Sequence, residues 1–295
     1  DIAMYHAKNG GKNKSELYSK VSGALTPAEM RHDLVLAIES GDLTLEYQPK
    51  VCARRQTVNG AEALVRWDHP EHGRLMPSLW IPAINDSAAM GRLGEWVIER
   101  AMIDQKRLAR AGHDLHVSIN IGSKHFISPG FVDTLTAIQK KQGFDARKLE
   151  LEVTEDALFS SEERALAVVK ELSAHGFPIS IDDFGKGFSN MARLAHLPVD
   201  FLKIDRSIIV GAFDDRRTRA ILETTVALAR SLGCRTVAEG VETLQQAEFA
   251  TRLGVNCLQG YYFARSMPIA NLIDWFETQA DNAVHAYHQR LKEAI

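Results

Sequence analysis

Short apolar segments recur between residues 43 and 260, and most of them end in a polar or charged residue. They are LTLEYQPKV (43–51), TVNGAEALVRW (57–67), HVSIN (116–120), LELEVT (149–154), PISID (178–182), FLKID (201–205), RTVAEG (235–240) and NCLQG (256–260). Between them lie helical patterns such as GEWVIERAMIDQKRLARAG, SEERALAVVKELSAHG and DRRTRAILETTVALARSLG. Strands that alternate with helices indicate βαβ units and a parallel sheet. Six to eight such units within about 250 residues favour a closed (β/α)8 barrel over an open sheet. Ahead of them, residues 26–41 read as a helix. Thr26 is its N-cap, Pro27 its first helical residue, and Leu34 and Ile38 share one face. No GxGxxG follows the first strand, which disfavours a dinucleotide-binding domain.

Composition narrows the partners. Lys plus Arg is 35 and Asp plus Glu 38, so the net charge is 35 − 38 = −3. A near-neutral chain with no basic run lacks the many phosphate contacts of a duplex nucleic acid binder. Cys52, Cys234 and Cys257 are odd in number and far apart, which fits a reducing cytoplasm. No apolar run approaches the roughly 18 residues of a membrane helix, so no membrane contact is expected of this piece. The chain begins at Asp1 in mid-pattern, which reads as a fragment of a longer protein whose membrane anchor, if any, lies upstream.

The polar residues fall at strand ends: Glu62, Asn120, Glu152, Asp182 with Asp183, Lys203, Glu239 and Gln259. In a parallel barrel these ends converge on one face, where active sites lie. One Glu at a strand end is ordinarily a helix cap or a surface residue. A series of such ends, all of metal-ligand or proton-transfer type, points to a site. Carboxylates gathered this closely raise one another's pKa unless a cation joins them. Oxygen donors without His or Cys select Mg²⁺, Mn²⁺ or Ca²⁺ over zinc. The adjacent pair Asp182–Asp183 suits two ions about 3.5–4 Å apart. In FLKID, Phe201, Lys203 and Asp205 share one face of the strand.

The ordered series YQPKV…GAEALVRWDHPEHG, SIN, LEVTE, DDFGKGFSN, LKID, AEGVET and QGYYFARSMP resembles the EAL-domain family of cyclic di-GMP phosphodiesterases over about residues 30–275. DIAMYHAKNGGKN resembles the final helix and tail of a GGDEF domain. The resemblance implies a GGDEF–EAL tandem. Residues 1–20 would be the upstream tail or linker, 21–280 the phosphodiesterase barrel and 281–295 the end of a C-terminal helix. It also implies a modified (β/α)8 barrel with one antiparallel strand, usually dimeric, and a cytoplasmic location with possible sensory domains upstream.

The resemblance further implies a reaction, hydrolysis of cyclic di-GMP to linear 5′-pGpG with two Mg²⁺ or Mn²⁺ ions, Ca²⁺ being inhibitory. Glu62, Asn120, Glu152 and Asp182 would hold one ion, and Asp182 and Asp183 the other, with Glu239 near it or near the attacking water. Lys203 would orient or help deprotonate that water. Arg66 would contact a phosphate or guanine, while Gln48, Asp205, Glu242 and Gln259 line the groove and Glu155 anchors the DDFG loop. The family loop reads DDFGTGYSS; here Lys186, Phe188 and Asn190 depart from it. Lys186 would place a cation beside the metal site. Asn85 stands near where the family has Glu, and reads as a surface or helix-start change. Two other functions compete: a non-catalytic cyclic di-GMP receptor, and a barrel hydrolase of another phosphate ester.

Overall fold

The computed structural model describes residues 25–55, 57–85, 88–159, 162–185 and 194–278. The tail at 1–20, the C-terminal stretch 281–295 and the loop positions Lys186, Phe188 and Asn190 lie outside the described residues. The chain divides into two compact units. One takes the segment up to Thr44 together with Arg66–Leu93; the other takes Leu45–Val65 and everything from Gly94.

In the smaller unit, helix Pro27–Ser40 starts where the sequence places it. Thr26 and Glu29 form a reciprocal capping box, each side chain accepting from the other's backbone N–H at 3.3 and 2.7 Å. Its buried residues are Met30, Leu34 and Ala37, so the inward stripe runs through Ala37 rather than Ile38. Trp67 and Trp80, both fully buried, meet edge to face with centroids 5.4 Å apart. Asn85 is the C-cap of helix Pro77–Ile84, a helix end and not a helix start.

The larger unit is built on a ring of strands. The strands are β1 (Leu43–Cys52), β2 (Val58–His69), β3 (Gly73–Leu75), β4 (His116–Asn120), β5 (Leu149–Thr154), β6 (Ile179–Phe184), β7 (Phe201–Ile204), β8 (Arg235–Ala238), β9 (Cys257–Leu258) and β10 (Met267–Pro268); of these, β3 and the ends of β1 and β2 at 43–44 and 66–69 fall in the smaller unit. Hydrogen bonding runs β1-β9-β8-β7-β6-β5-β4-β2, and a β1–β2 pairing closes the circle. From β2 through β9 every ring pairing is parallel, whereas β1 is antiparallel to β9. This is the eight-stranded barrel with one antiparallel strand that the resemblance implies. The short strands β3 and β10 add to β2 and β1 outside the ring.

Closure explains why β1 is buried at most positions although its sequence alternates. Its outward residue Val51 joins a cluster with Ile204, Ile208, Val226 and Ala250, which brings the outer helices onto the ring. Gln48 and Lys50 alternate with Val51 and take the other face of the strand.

Several strands stop short of the expected polar residue. FLKID ends at Ile204, and Asp205 caps helix Arg206–Asp214, accepting from Ser207 N at 2.9 Å. RTVAEG ends at Ala238 and NCLQG at Leu258, so Glu239 and Gln259 stand just beyond their strands. β6 runs further than PISID and carries both Asp182 and Asp183, with a register shift between Ile181 and Phe184.

Candidate active site

Lys203 is 1% exposed, and its ammonium is the centre of the site. It lies 2.5 Å from Glu152 Oε2, 2.7 Å from Glu239 Oε1, 3.0 Å from Asp182 Oδ1 and 3.7 Å from Glu62 Oε1. The four carboxylates come from β5, the end of β8, β6 and β2. On the other side of Glu152, Lys50 reaches Oε1 at 2.8 Å and Glu150 at 3.2 Å. Asn120 donates to Glu62 Oε1 at 2.7 Å, and Gln259 donates to Glu62 Oε2 at 2.6 Å and Gln48 Oε1 at 3.1 Å. Gln48 in turn donates to the Ala264 carbonyl at 3.0 Å.

Anionic groups outnumber cations here, and the ionisation states follow. Burial pushes the Glu239 carboxyl up to about 8, against the pull of Lys203. Burial also raises Glu62, with the charge of Glu152 adding to it, and raises Asp182 in spite of Lys203. Burial acts on Glu152 in the same direction, but Lys203 and Lys50 together overcome it and hold that carboxylate well below the usual range. Lys203 would lose its proton readily if burial acted alone; Glu152 and the other carboxylates raise it well above its ordinary value instead.

The carboxylates of Asp182, Asp183 and Glu239 each offer an oxygen within 4.8 Å of the others. Asp183 has φ +57°, the one non-glycine residue in left-handed backbone among the described residues. Its N–H donates to Asp182 Oδ1 at 2.9 Å. Asp tolerates this region better than most residues, but the conformation still costs on the order of 1 kcal/mol.

Above the carboxylates lies a cavity of about 550 Å³. Of the residues expected from the sequence, Gln48, Glu62, Asn120 and Asp182 line it, as do Lys203, Glu239, Glu242 and Gln259. Glu152 lies beneath Lys203 and is 1% exposed. Arg66 belongs to the smaller unit, where it is 7% exposed. Asp205 is occupied as a helix cap and is not in the lining. Glu155 is buried at the start of helix Glu155–Phe159, and its Oε2 has no hydrogen-bond partner among the described residues.

Sequence reading missed Arg206 and Tyr261, which line the cavity, with Arg206 3.0 Å from Glu242. It also missed Lys50 and Glu150. The signal for these two was present: in LELEVT, Glu150 and Glu152 share one strand face, so two buried carboxylates required a cation besides Lys203.

Residues 31–266 match the EAL domain. The chain belongs to the EAL domain family. It is 39% identical over 276 residues to the bifunctional diguanylate cyclase/cyclic di-GMP phosphodiesterase MucR of Pseudomonas aeruginosa, covering 92% of this chain and 40% of that protein. It is 30% identical over 279 residues to the cyclic di-GMP phosphodiesterase PdeR of Escherichia coli, covering 94% of this chain and 42% of that protein. The chain therefore spans less than half the length of these relatives. Among solved structures, the PaMucR phosphodiesterase in its c-di-GMP complex has a TM-score of 0.79 at 40% identity, over 82% of this chain and 99% of that one. An EAL domain protein from Listeria monocytogenes has a TM-score of 0.71 at 30% identity, over 83% and 97%. Among the described residues of this EAL domain, no helix is long and apolar enough to cross a membrane.

Proposed function

We propose that this EAL domain hydrolyses cyclic di-GMP to linear 5′-pGpG by in-line attack of water on one phosphodiester. The observation that carries the reading is the meeting of four carboxylates on one buried ammonium at the floor of the cavity. The relatives' names as cyclic di-GMP phosphodiesterases support the choice of substrate.

The residues suit divalent ions. The surplus of carboxylates that raises Glu239, Glu62 and Asp182 is relieved by added positive charge, and every donor is an oxygen that hard ions prefer. In this reading Glu62, Asn120, Glu152 and Asp182 hold one Mg²⁺ or Mn²⁺ ion, and Asp182, Asp183 and Glu239 hold a second. Such ions polarise the phosphate and acidify water. Lys203, with its proton firmly held, fixes the orientation of Glu152, Asp182 and Glu239, and would donate to the attacking water by turning one N–H away from Asp182 or Glu239. Glu239, ionised once the cations are bound, would accept the proton of the attacking water. Gln48, Glu242 and Gln259 line the groove for the nucleotide, and Arg66 is assigned a phosphate or guanine. Glu155, whose Oε2 has no partner among the described residues, anchors the loop after Asp183.

A dimer, an upstream GGDEF domain and a cytoplasmic setting belong to the same proposal. The bifunctional name of MucR supports the tandem. The deciding experiment is chromatography of cyclic di-GMP incubated with the protein and Mg²⁺ or Mn²⁺, beside a binding measurement in Ca²⁺. Formation of pGpG, abolished by chelation, is the expected result. Binding without turnover would make the domain a receptor, and neither would overturn the substrate.

A further inference from the structure

The barrel has a second cavity at its opposite end. It measures about 190 Å³ and lies at the amino-terminal ends of the parallel strands, where His116, Arg235 and Cys257 begin β4, β8 and β9. It shares no lining residue with the upper cavity.

Two features of its wall point to a ligand. The first is charge. Lys50, Arg55 and Arg235 line the wall with one carboxylate, Glu150, and the charge left over is that of the two guanidiniums. Lys50 is already engaged by Glu150 and Glu152. Arg235 lies over the Phe201 ring at 4.0 Å, and neither it nor Arg55 has a carboxylate partner among the described residues. The second is a pair of unsatisfied polar atoms. Among the described residues, the hydroxyl of Ser118, 1% exposed, has no hydrogen-bond partner, and neither has the carbonyl oxygen of Asn59. The Asn59 amide donates to Cys257 Sγ at 3.2 Å, so its oxygen is left as an open acceptor. Buried polar atoms are seldom left this way, and two on one cavity wall call for an occupant.

We propose that this cavity binds a small oxyanion that carries a hydroxyl, either hydrogenphosphate or the singly protonated head of a phosphate monoester. Its charged oxygens meet the two guanidiniums and the Ser118 hydroxyl, in charge-assisted hydrogen bonds. Its O–H donates to Asn59, which a fully deprotonated anion could not do. The volume is below that of pockets that enclose drug-sized molecules, so a nucleoside attached to the phosphate stays outside. The site stands apart from the proposed hydrolysis and does not depend on it.

The test is calorimetric titration of the protein with sodium phosphate at constant ionic strength, in chelator so that no metal recruits phosphate to the upper cavity. Saturable binding at one site is expected. Arg235→Gln and Arg55→Gln should each weaken it about tenfold, the order of one charge-assisted hydrogen bond. Ser118→Ala should weaken it by less. Asp183→Asn, at the upper site, should leave it unchanged. Titration with 5′-GMP separates the sources: competition with phosphate identifies a monoester head as a ligand, and its absence restricts the site to the inorganic ion. No saturable binding in wild type overturns the proposal. So does affinity that survives both arginine changes, or that vanishes in Asp183→Asn. Arg55 is exposed, so Arg55→Gln remains informative even if Arg235→Gln fails to fold.

Discussion

Lys50 and Lys203 hold opposite oxygens of one buried carboxylate, at 2.8 Å from Glu152 Oε1 and 2.5 Å from Oε2. Glu152 is thereby fixed in position and kept ionised in the interior of the barrel, where burial alone would protonate it. Lys50 faces the amino-terminal cavity and Lys203 the carboxyl-terminal one, so a single ion-paired file runs along the barrel.

Lys50→Met should destabilise the fold by about 3–5 kcal/mol, because it removes the ammonium between Glu150 and Glu152 and leaves buried charge uncompensated. Urea unfolding measures this. A loss below about 1 kcal/mol would mean that water enters and solvates the pair.

Lys203→Ala should lower the single-turnover rate by roughly 10²-fold or more, because Glu152, Asp182 and Glu239 lose the ammonium that positions them. Nucleotide affinity measured in Ca²⁺ should change far less. Equal losses in both would make Lys203 a residue of binding or folding.

Chelation should abolish hydrolysis, Mg²⁺ or Mn²⁺ should restore it, and Ca²⁺ should inhibit it. Calcium is larger and accepts looser geometry, which misplaces the reacting groups. Asp183→Asn keeps a side chain that tolerates left-handed backbone and removes one anionic donor. It should raise the metal concentration for half-maximal rate while leaving the unfolding midpoint in chelator nearly unchanged. A rate that persists in excess chelator contradicts the metal assignment.

Gly260→Ala should be severe, costing roughly 3 kcal/mol, the upper end for overpacking. The added Cβ would stand 2.1 Å from the Val241 carbonyl oxygen and 2.3 Å from its nitrogen, and backbone cannot move aside as a side chain can. The adjacent Gln259 would shift with it and loosen its bond to Glu62. A folded variant with wild-type stability would show that the chain at Gly260 relaxes freely.

Metal-free protein should lose stability between about pH 7 and pH 8. Glu239 is pushed up to about 8, against an ordinary 4.5, chiefly by burial. The folded state keeps a proton that the unfolded chain has released, so stability falls as pH rises through that window. Glu152, held low, already contributes in full above its ordinary value, and Lys203, held high, does so below its own. His116 and His125, lowered by burial, give the opposite slope only below about their ordinary 6.5. Unfolding midpoints in chelator should thus be lower at pH 8 than at pH 7, and Mg²⁺ should shrink the difference. A midpoint that rises across the window contradicts the buried neutral carboxyl.

Order along the chain was enough to foretell the barrel. Strand periods of two and helical periods between them are local properties, so HVSIN and LELEVT fall within the bounds read for them. The residues that meet at Lys203 were legible for a related reason: parallel strands in a closed ring bring all their carboxyl ends to one face, so polar residues there converge wherever they stand in sequence. What the linear order could not decide was which polar residues serve the local chain and which the shared interior. Asp205 looked like a third residue of the Lys203 face, yet the strand ends at Ile204 and its carboxylate caps the next helix. Lys50 carries no local signal in YQPKV, because its partners Glu150 and Glu152 lie about a hundred residues away and only ring closure brings β1 to them. The amino-terminal cavity likewise exists only in three dimensions: Arg55, Asn59, Ser118 and Arg235 belong to separate segments, and their charge and unmet hydrogen bonds become one site only when the strand starts are drawn into a circle.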